Sequence, residues 1–573
     1  MSNNKKLAEI FYQMSEILEI KNQVWESRAY QKAARTLESL SKDVDEIYKA
    51  GGTNALMKIP GIGKALAEKI EQFLTTGKIK KYEEVLKSIP PGLIDMINVP
   101  GMGPKKVSKL YNILKIDSIE KLEKAAKEGK IRSLEGFGEK SEKDILVGID
   151  LVKRGRERMP LWKALPLSRE IVEYLKKNCR SIQKIEVAGS IRRRKETIGD
   201  IDILVISDKP DEVMSVFTKM PNVFRVENKG ETKSSVNLEE GLDCDVRVLK
   251  HESFGAALNY FTGSKEHNIH LRQIAITKNW KLSEYGLFDK SGKQIAGKTE
   301  DELYKRLGMP YIEPEMRENT GEIEISKNSH LPRLISYNSI KGDLHVHTKF
   351  SDGLYSPEVM IKKAIELKYE YVAITDHSKA ERVANGMDEK RVLEYIKYLE
   401  KMENKFPQIH ILKGSEVSIL KDGRLDFSKQ ALEKLDFVVA SVHSGFKILE
   451  QDMTKRVLTA LESGFVDVLG HPTGKIVNQR NPFEINLEKI FEKAKDLNVS
   501  MEIDSNERFD LNDFNIKKAK AFGLKFSIST DAHSTDHMSF MEFGIAQARR
   551  GWLEEKDVIN TLPWKQFENL IKR

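Results

Sequence analysis

The sequence predicts a multidomain protein of mixed α+β and α/β class: a helical front, an α/β middle and a C-terminal (β/α) barrel. Three observations carry that expectation. Apolar residues at three- and four-residue spacing dominate residues 1–155. Helical and strand-like stretches alternate through 156–317. Beyond residue 338, apolar runs end again and again in histidine or a carboxylate, as barrel strands do at their catalytic rim. A chain of 573 residues is also too long for one core.

Composition narrows the classes. The net charge of +8 suits a nucleic-acid partner. Two cysteines, Cys179 and Cys244, exclude a disulfide framework and a cysteine-rich zinc site. The N-terminal MSNNKKLAEIF has no apolar signal core, and no apolar run approaches the roughly 20 residues of a membrane span. The expected location is cytoplasmic, at the nucleoid, with no membrane partner.

In the helical front, LAEIFYQMSEILEI (7–20) has helical periodicity. Three hairpin signals interrupt the helices: Pro60-Gly61-Ile62-Gly63, Pro100-Gly101-Met102-Gly103 and Gly136-Phe137-Gly138. Each precedes a helix with a nearby lysine, Lys64, Lys105 or Lys140, making a weak internal repeat. Glycine lets backbone approach a ligand closely, and the free N–H groups of the next helix suit a phosphate. One such signal is an ordinary turn. Three in similar settings look like helix-hairpin-helix elements, which grip a DNA backbone without reading sequence. Gly61, Gly63, Lys64, Gly101, Gly103 and Lys105 are therefore candidate DNA contacts, whereas Glu135 and Glu139 flank the third signal and weaken it.

In the middle, Gly199-Asp200-Ile201-Asp202 opens the apolar strand ILVI. Asp200 and Asp202 lie two apart and share a strand face. Ionised carboxylates so close repel unless a cation lies between them, and paired Mg²⁺ ions suit in-line phosphoryl transfer. Alone, such a pair also fits a solvated strand edge. The later strand 242–248 offers a third carboxylate, and upstream Gly189, Ser190 and Arg193 can hold a triphosphate.

In the final segment, YVAITDH (371–377), IHILKGSE (409–416), FVVASVH (437–443), VDVLGH (466–471) and FSISTDAH (526–533) read as buried strands delivering a last polar residue to one rim. His345 and His347, two apart, reach one side of their strand. Of 12 histidines none precedes His251, so the residue is concentrated where it can bind metal. His410 and His537 have no clear place in that set and are expected to be structural.

GSIRRRKETIGDID (189–202), DCDVRVL (243–249) and Tyr260-Phe261-Thr262-Gly263-Ser264 with Asn268 and Arg272 resemble the nucleotidyltransferase palm and thumb of family X DNA polymerases. Residues 339–573 resemble the PHP (polymerase and histidinol phosphatase) domain, a distorted barrel with typically three metal ions. Together the chain resembles the bacterial and archaeal family X polymerase with a C-terminal PHP domain. The resemblance implies that Asp200, Asp202 and Asp245 are catalytic and hold two Mg²⁺ ions. Asp243 is expected on the opposite strand face and is left out; Arg247 is expected to orient a carboxylate. It implies nucleotide contacts from Gly189, Ser190, Arg193, Gly199, Tyr260, Phe261, Gly263, Asn268 and Arg158, with the two aromatics crowding the sugar 2′ position, and a DNA contact from Arg272. For the barrel it implies His345, His347, Asp352, His377, Glu416, His443, His471, Asp531 and His533 as ligands of Mn²⁺ or Zn²⁺.

Lys69 matches the lysine that forms a Schiff base with an abasic sugar in polymerase β-like proteins. Ala65 and Trp25-Glu26 stand where those proteins are basic, so Lys69 also fits a phosphate-contacting lysine. The expected organisation is a helical DNA-binding domain (1–88), fingers with helix-hairpin-helix (89–155), palm (156–255), thumb (256–317), linker (318–338) and PHP domain (339–573). The implied activity is gap-filling DNA synthesis in repair with a 3′→5′ exonuclease and an abasic-site endonuclease. Its partners are gapped or primer-template DNA and deoxynucleoside triphosphates, and the expected state is a monomer. The rival readings are a small-molecule phosphoesterase barrel on a DNA-binding module and a non-catalytic DNA-end scaffold. The carboxylates in front and the YFTGS segment argue against the first, and complete ligand sets in both halves against the second.

Overall fold

Each hairpin signal of the front closes the same turn. Gly61, Gly101 and Gly136 adopt φ of +85°, +77° and +82°, a region in which a side chain would be strained. The following N–H turns back in all three: Ile62 to Ile59 O (3.0 Å), Met102 to Val99 O (2.9 Å) and Phe137 to Leu134 O (2.9 Å). The third therefore matches the first two in backbone form, despite its flanking glutamates. A helix starts just beyond each, Lys64–Thr76, Pro104–Leu114 and Glu139–Lys153.

The computed structural model describes residues 3–38, 40, 43–97, 99, 101–153, 158–328 and 330–571. Pro100 of the second hairpin, residues 154–157 of the basic run and the expected boundary at 155/156 lie outside the described residues. The front helices share one apolar core running from Leu7 and Phe11 through Ile62 and Met102 to Ile149. Ser108 Oγ donates to Ile20 O at 2.7 Å, tying the second hairpin's helix to the first helix.

The middle holds a five-stranded sheet in the order 182–187, 200–207, 243–249, 233–238, 223–229. Strands 200–207 and 243–249 run parallel and their neighbours antiparallel. Helices Leu161–Asn178 and Pro210–Phe217 bury Leu161, Leu175, Met214 and Phe217 in one core with Ile203 and Val246 of the sheet. Helices Phe254–Thr262, Lys265–Thr277 and Glu300–Leu307 follow, with a three-stranded sheet. The stretch 318–338, expected as a linker, carries helix Glu322–Lys327 and buries Asn319, Glu322 and Ser326. Its weak periodicity reflects burial of polar groups that find specific partners, such as Glu322 with His267 at 2.7 Å.

The C-terminal part is a seven-stranded parallel sheet ordered as in sequence: 342–346, 371–374, 410–418, 437–441, 468–469, 500–504 and 526–529. His347 N donates to Ala532 O (2.8 Å) and Ala532 N to His345 O (3.2 Å), drawing the last strand to the first and closing the barrel. Phe567 of helix Trp564–Ile571 stacks on Tyr371 (4.5 Å between centroids) within a cluster that includes Leu344, Leu412 and Val439. The barrel docks on the middle sheet. Phe509, Phe543 and Val477 complete the sheet's core, with Trp162 stacked on Phe509 at 5.6 Å. No described helix is long and apolar enough to cross a membrane.

Candidate active sites

Strand parity builds the front site. Asp200 and Asp202 start one strand, and the parallel register sets Asp202 opposite Asp245 and Asp200 opposite Asp243. Asp243 therefore lies on the face of Asp245, correcting the expectation that it points away: residues two apart on a strand share a face. Its carboxylate is taken by Asn237 Nδ2 at 2.7 Å, which separates its role from that of Asp245. Arg247 does reach a carboxylate, donating to Asp245 Oδ2 at 3.3 Å, and Lys233 lies 3.0 Å from the same oxygen. Burial and then Asp200 and Asp245 push the Asp202 carboxyl up to about 7. The register puts the three carboxylates on one sheet face, and an all-oxygen donor set of this kind fits divalent metal.

A cavity of about 400 Å³ opens beside these carboxylates and is lined by Gly189, Ser190, Arg193, Tyr260, Gly263 and Asn268, with Arg158, Phe261 and Arg272 at its wall. Gly189 has φ +64°, and a Cβ there would lie 3.0 Å from Asp202 Oδ2. Ser190 Oγ is buried without a hydrogen-bond partner. Arg193 donates to Thr262 O and lies 3.1 Å from Glu318. Gly199 lies against Arg158, whose Nη1 would be 2.8 Å from a Cβ placed there. Asn268 Nδ2 donates to Tyr260 O (2.7 Å), while Arg247 covers Phe261 at 4.4 Å, so both aromatics are held at the cavity wall.

In the barrel, His345 and Glu416 lie in the last residues of their strands and the other seven sequence-predicted ligands in the segments just beyond a strand's C-terminal end. Glu416 is central. Its carboxylate lies 2.8 Å from His377 Nδ1, 3.0 Å from His443 Nε2, 2.9 Å from His471 Nε2, and 3.5 and 3.6 Å from the Nε2 atoms of His345 and His347. Asp531 reaches His347 at 3.0 Å and His345 at 3.7 Å, and Asp352 reaches His533 at 3.4 Å. His347, Asp352, His377 and His533 make one candidate metal group; His345, His347 and Glu416 a second; His377, Glu416 and His443 a third.

Ring nitrogens of His345, His347, His377 and His471 are buried without a hydrogen-bond partner. Burial of an unpaired polar atom is costly, and neutral imidazole nitrogens facing carboxylates are what metal ions accept. The residues fit a multi-metal centre. Burial with His533 and His377 holds His347 down to about 3, which keeps its imidazole neutral.

Several functional groups escaped the sequence reading. Glu502, on strand 500–504, accepts from His345 Nδ1 at 2.7 Å, and its other oxygen accepts the His471 N–H at 2.6 Å. The run VSMEID (499–504) carried the signal: a further apolar strand ending in carboxylates. Asp376 accepts from Thr348 and Ser351 and braces the loop that follows His347. Arg480 and Arg508 line the cavity over the cluster. His410 stacks on Trp564 and His537 on Phe540, outside the metal groups. Lys69 is half-buried and donates to Ala65 O (2.9 Å) within its own helix. Lys64 and Lys105 are the exposed side chains in the first turns after the hairpins, with Gly63 and Gly103 as N-cap residues lacking any side-chain cap.

Comparison with known proteins places these features together elsewhere. A helix-hairpin-helix domain model matches residues 2–79 and a SAM-like helix-hairpin-helix tandem residues 93–150. The DNA polymerase beta thumb matches residues 257–318 and the PHP domain 343–506. The chain is 37% identical over 549 residues to the DNA polymerase/3′-5′ exonuclease PolX of Bacillus subtilis (strain 168), covering 95% of both chains. It is 24% identical to DNA polymerase lambda of Rattus norvegicus over 55% of this chain and 56% of that relative. A probable phosphatase of Thermoanaerobacter sp. (strain X514) is 30% identical over 38% of this chain and 89% of its own length.

Proposed function

The chain belongs to the family X DNA polymerases that carry a C-terminal PHP domain, and from that premise we propose that its front half fills short gaps in DNA while its barrel removes nucleotides from 3′ ends. What supports this reading is that strand register sets Asp200, Asp202 and Asp245 on one sheet face while a separate group of histidines and carboxylates gathers around Glu416.

In the front site Asp200, Asp202 and Asp245 would hold the metal ions, and their all-oxygen donor set suits Mg²⁺. The barrel's imidazoles and carboxylates suit Mn²⁺ or Zn²⁺. When bound, such ions supply Lewis-acid chemistry, lowering the pKa of a primer 3′-hydroxyl in front and of a water in the barrel. The protein supplies position. Gly189 leaves space beside Asp202, and Ser190 Oγ and Arg193 offer donors for a triphosphate. Tyr260 and Phe261 stand where a sugar 2′-hydroxyl would be crowded, favouring deoxynucleotides. The hairpins offer N–H groups and Lys64 and Lys105 to the DNA backbone, and Arg272 adds a cation by the cavity. In the barrel Glu502 orients His345, and the rings around Glu416 are set to share it.

The six domains and their limits at 88, 155, 255, 317 and 338 remain our division of the chain, as does Lys69 as a lyase candidate. A monomer at the nucleoid belongs to the same reading, since one chain carries both centres whole. The test is a labelled gapped duplex with the full chain. Nucleotide addition in Mg²⁺ with deoxynucleoside triphosphates, and shortening from the 3′ end in Mn²⁺ without them, are expected. Addition with no shortening under any metal would refute the barrel's role; shortening without addition would refute the front's.

A further inference from the structure

Two arginines share the cavity of about 280 Å³ that opens over the barrel's ligands. Arg508 belongs to the cluster's edge. Its Nε lies 3.1 Å from Asp504 and 3.5 Å from Asp531, and its Nη1 is buried with no partner. Arg480 is held differently. Its guanidinium lies 4.2 Å from the centre of the Phe446 ring, and its Nε donates to Gly474 O at 2.6 Å. Phe446 is itself stacked on Phe483 at 6.1 Å. No carboxylate among the described residues lies within ion-pair distance of Arg480.

Burial and then the nearby Arg508 lower the Arg480 pKa, with Asp510 opposing them, and the two guanidinium groups line one cavity together with the carboxylates of the cluster. Arg508 stands among metal ligands, where the phosphate being cut must lie. Arg480 is held over an aromatic ring and makes no ion pair with any of the cluster's carboxylates among the described residues, leaving N–H groups to spare. A phosphate has the charge and the planar-fork acceptors that this geometry demands.

We propose that Arg480, positioned by Phe446, binds the phosphate one nucleotide 5′ of the scissile linkage, so that the barrel selects a polynucleotide strand over a substrate with a single phosphate. This deepens the nuclease reading given above and rests on it. The contact positions the strand without reading bases, and it stays with the shortened strand after the terminal nucleotide leaves.

The experiment uses the full chain with Mn²⁺ and two trinucleotides, one with native linkages and one with a neutral methylphosphonate at the upstream linkage. The wild type is expected to cleave the native substrate about tenfold better in kcat/KM, the effect of one lost charge-assisted contact. Arg480→Ala should lose that preference while cleaving the neutral-linkage substrate as the wild type does. Arg480→Lys should restore part of it. Gap filling by the same preparations reports folding. A wild type indifferent to the neutral linkage, or an Arg480→Ala that slows both substrates equally, overturns the subsite. A wild type that cleaves neither substrate overturns the nuclease reading itself, and the subsite with it.

Discussion

Arg550 of the barrel donates from Nη1 to the backbone carbonyl of Arg193, 2.7 Å away in the wall of the nucleotide cavity. The same guanidinium lies 3.1 Å from Glu318, which also holds Arg193 Nε at 3.1 Å, and its other edge is paired with Asp513. The barrel thus clamps an arginine of the polymerase site, although the two metal-ligand sets share no residue. Removing one partner of a buried ion pair costs about 3–5 kcal/mol, because the others are left unpaired. Arg550→Ala should lower the unfolding midpoint and raise the nucleotide KM more than it lowers kcat. Thermal unfolding and steady-state gap filling check both.

This junction also makes an acid-sensitive interface. Burial pushes the Glu318 carboxyl up, but Arg550, Lys195 and Arg193 outweigh it and bring it to about 2, against an ordinary value of 4.5. The folded pKa lies below the unfolded one, so this contribution is complete above pH 4.5 and is lost as the pH falls from there toward about 2. Unfolding followed over that window should show stability dropping with acid, and Glu318→Gln should flatten the dependence. An unchanged slope in the variant would remove Glu318 from the account.

Asp200→Ala or Asp245→Ala should cut nucleotide addition by at least about a hundredfold, since about 1.4 kcal/mol of lost transition-state stabilisation is a factor of ten. DNA binding, proposed to rest on the hairpins and not on these carboxylates, should persist in a mobility-shift assay. Extension at near wild-type rate would exclude that residue from the catalytic set.

His345→Ala or Asp531→Ala should remove 3′ shortening and leave gap filling, while Asp202→Ala does the reverse. Glu502→Gln tests the support of His345. Loss of such a partner lowers metal affinity or activity by about 10–100-fold. Calorimetric Mn²⁺ titration of that variant should show the weaker binding, with gap filling in Mg²⁺ unchanged.

Lys64→Ala and Lys105→Ala should each weaken binding equally for unrelated DNA sequences and reduce the salt dependence of log K by about one phosphate contact. A loss confined to one sequence would show that the hairpins read bases.

What the sequence by itself determined is local. A Gly-x-Gly turn is set by the φ that only glycine adopts easily, so the hairpins were legible from residues 61–63, 101–103 and 136–138. Asp200 and Asp202 shared a face because strand side chains alternate, and the same rule, misapplied, put Asp243 on the wrong one. The residues that gather around Glu416 were legible because strand ends marked them by residue type. What only the tertiary structure decided is which remote residues meet. Glu502 supports His345 from 157 residues away, Arg550 clamps Arg193 from 357 away, and the 318–338 stretch buries Asn319, Glu322 and Ser326. No local periodicity encodes such pairs. A buried charge can sit in any element, and only the packing that removes it from water dictates which partner it must find.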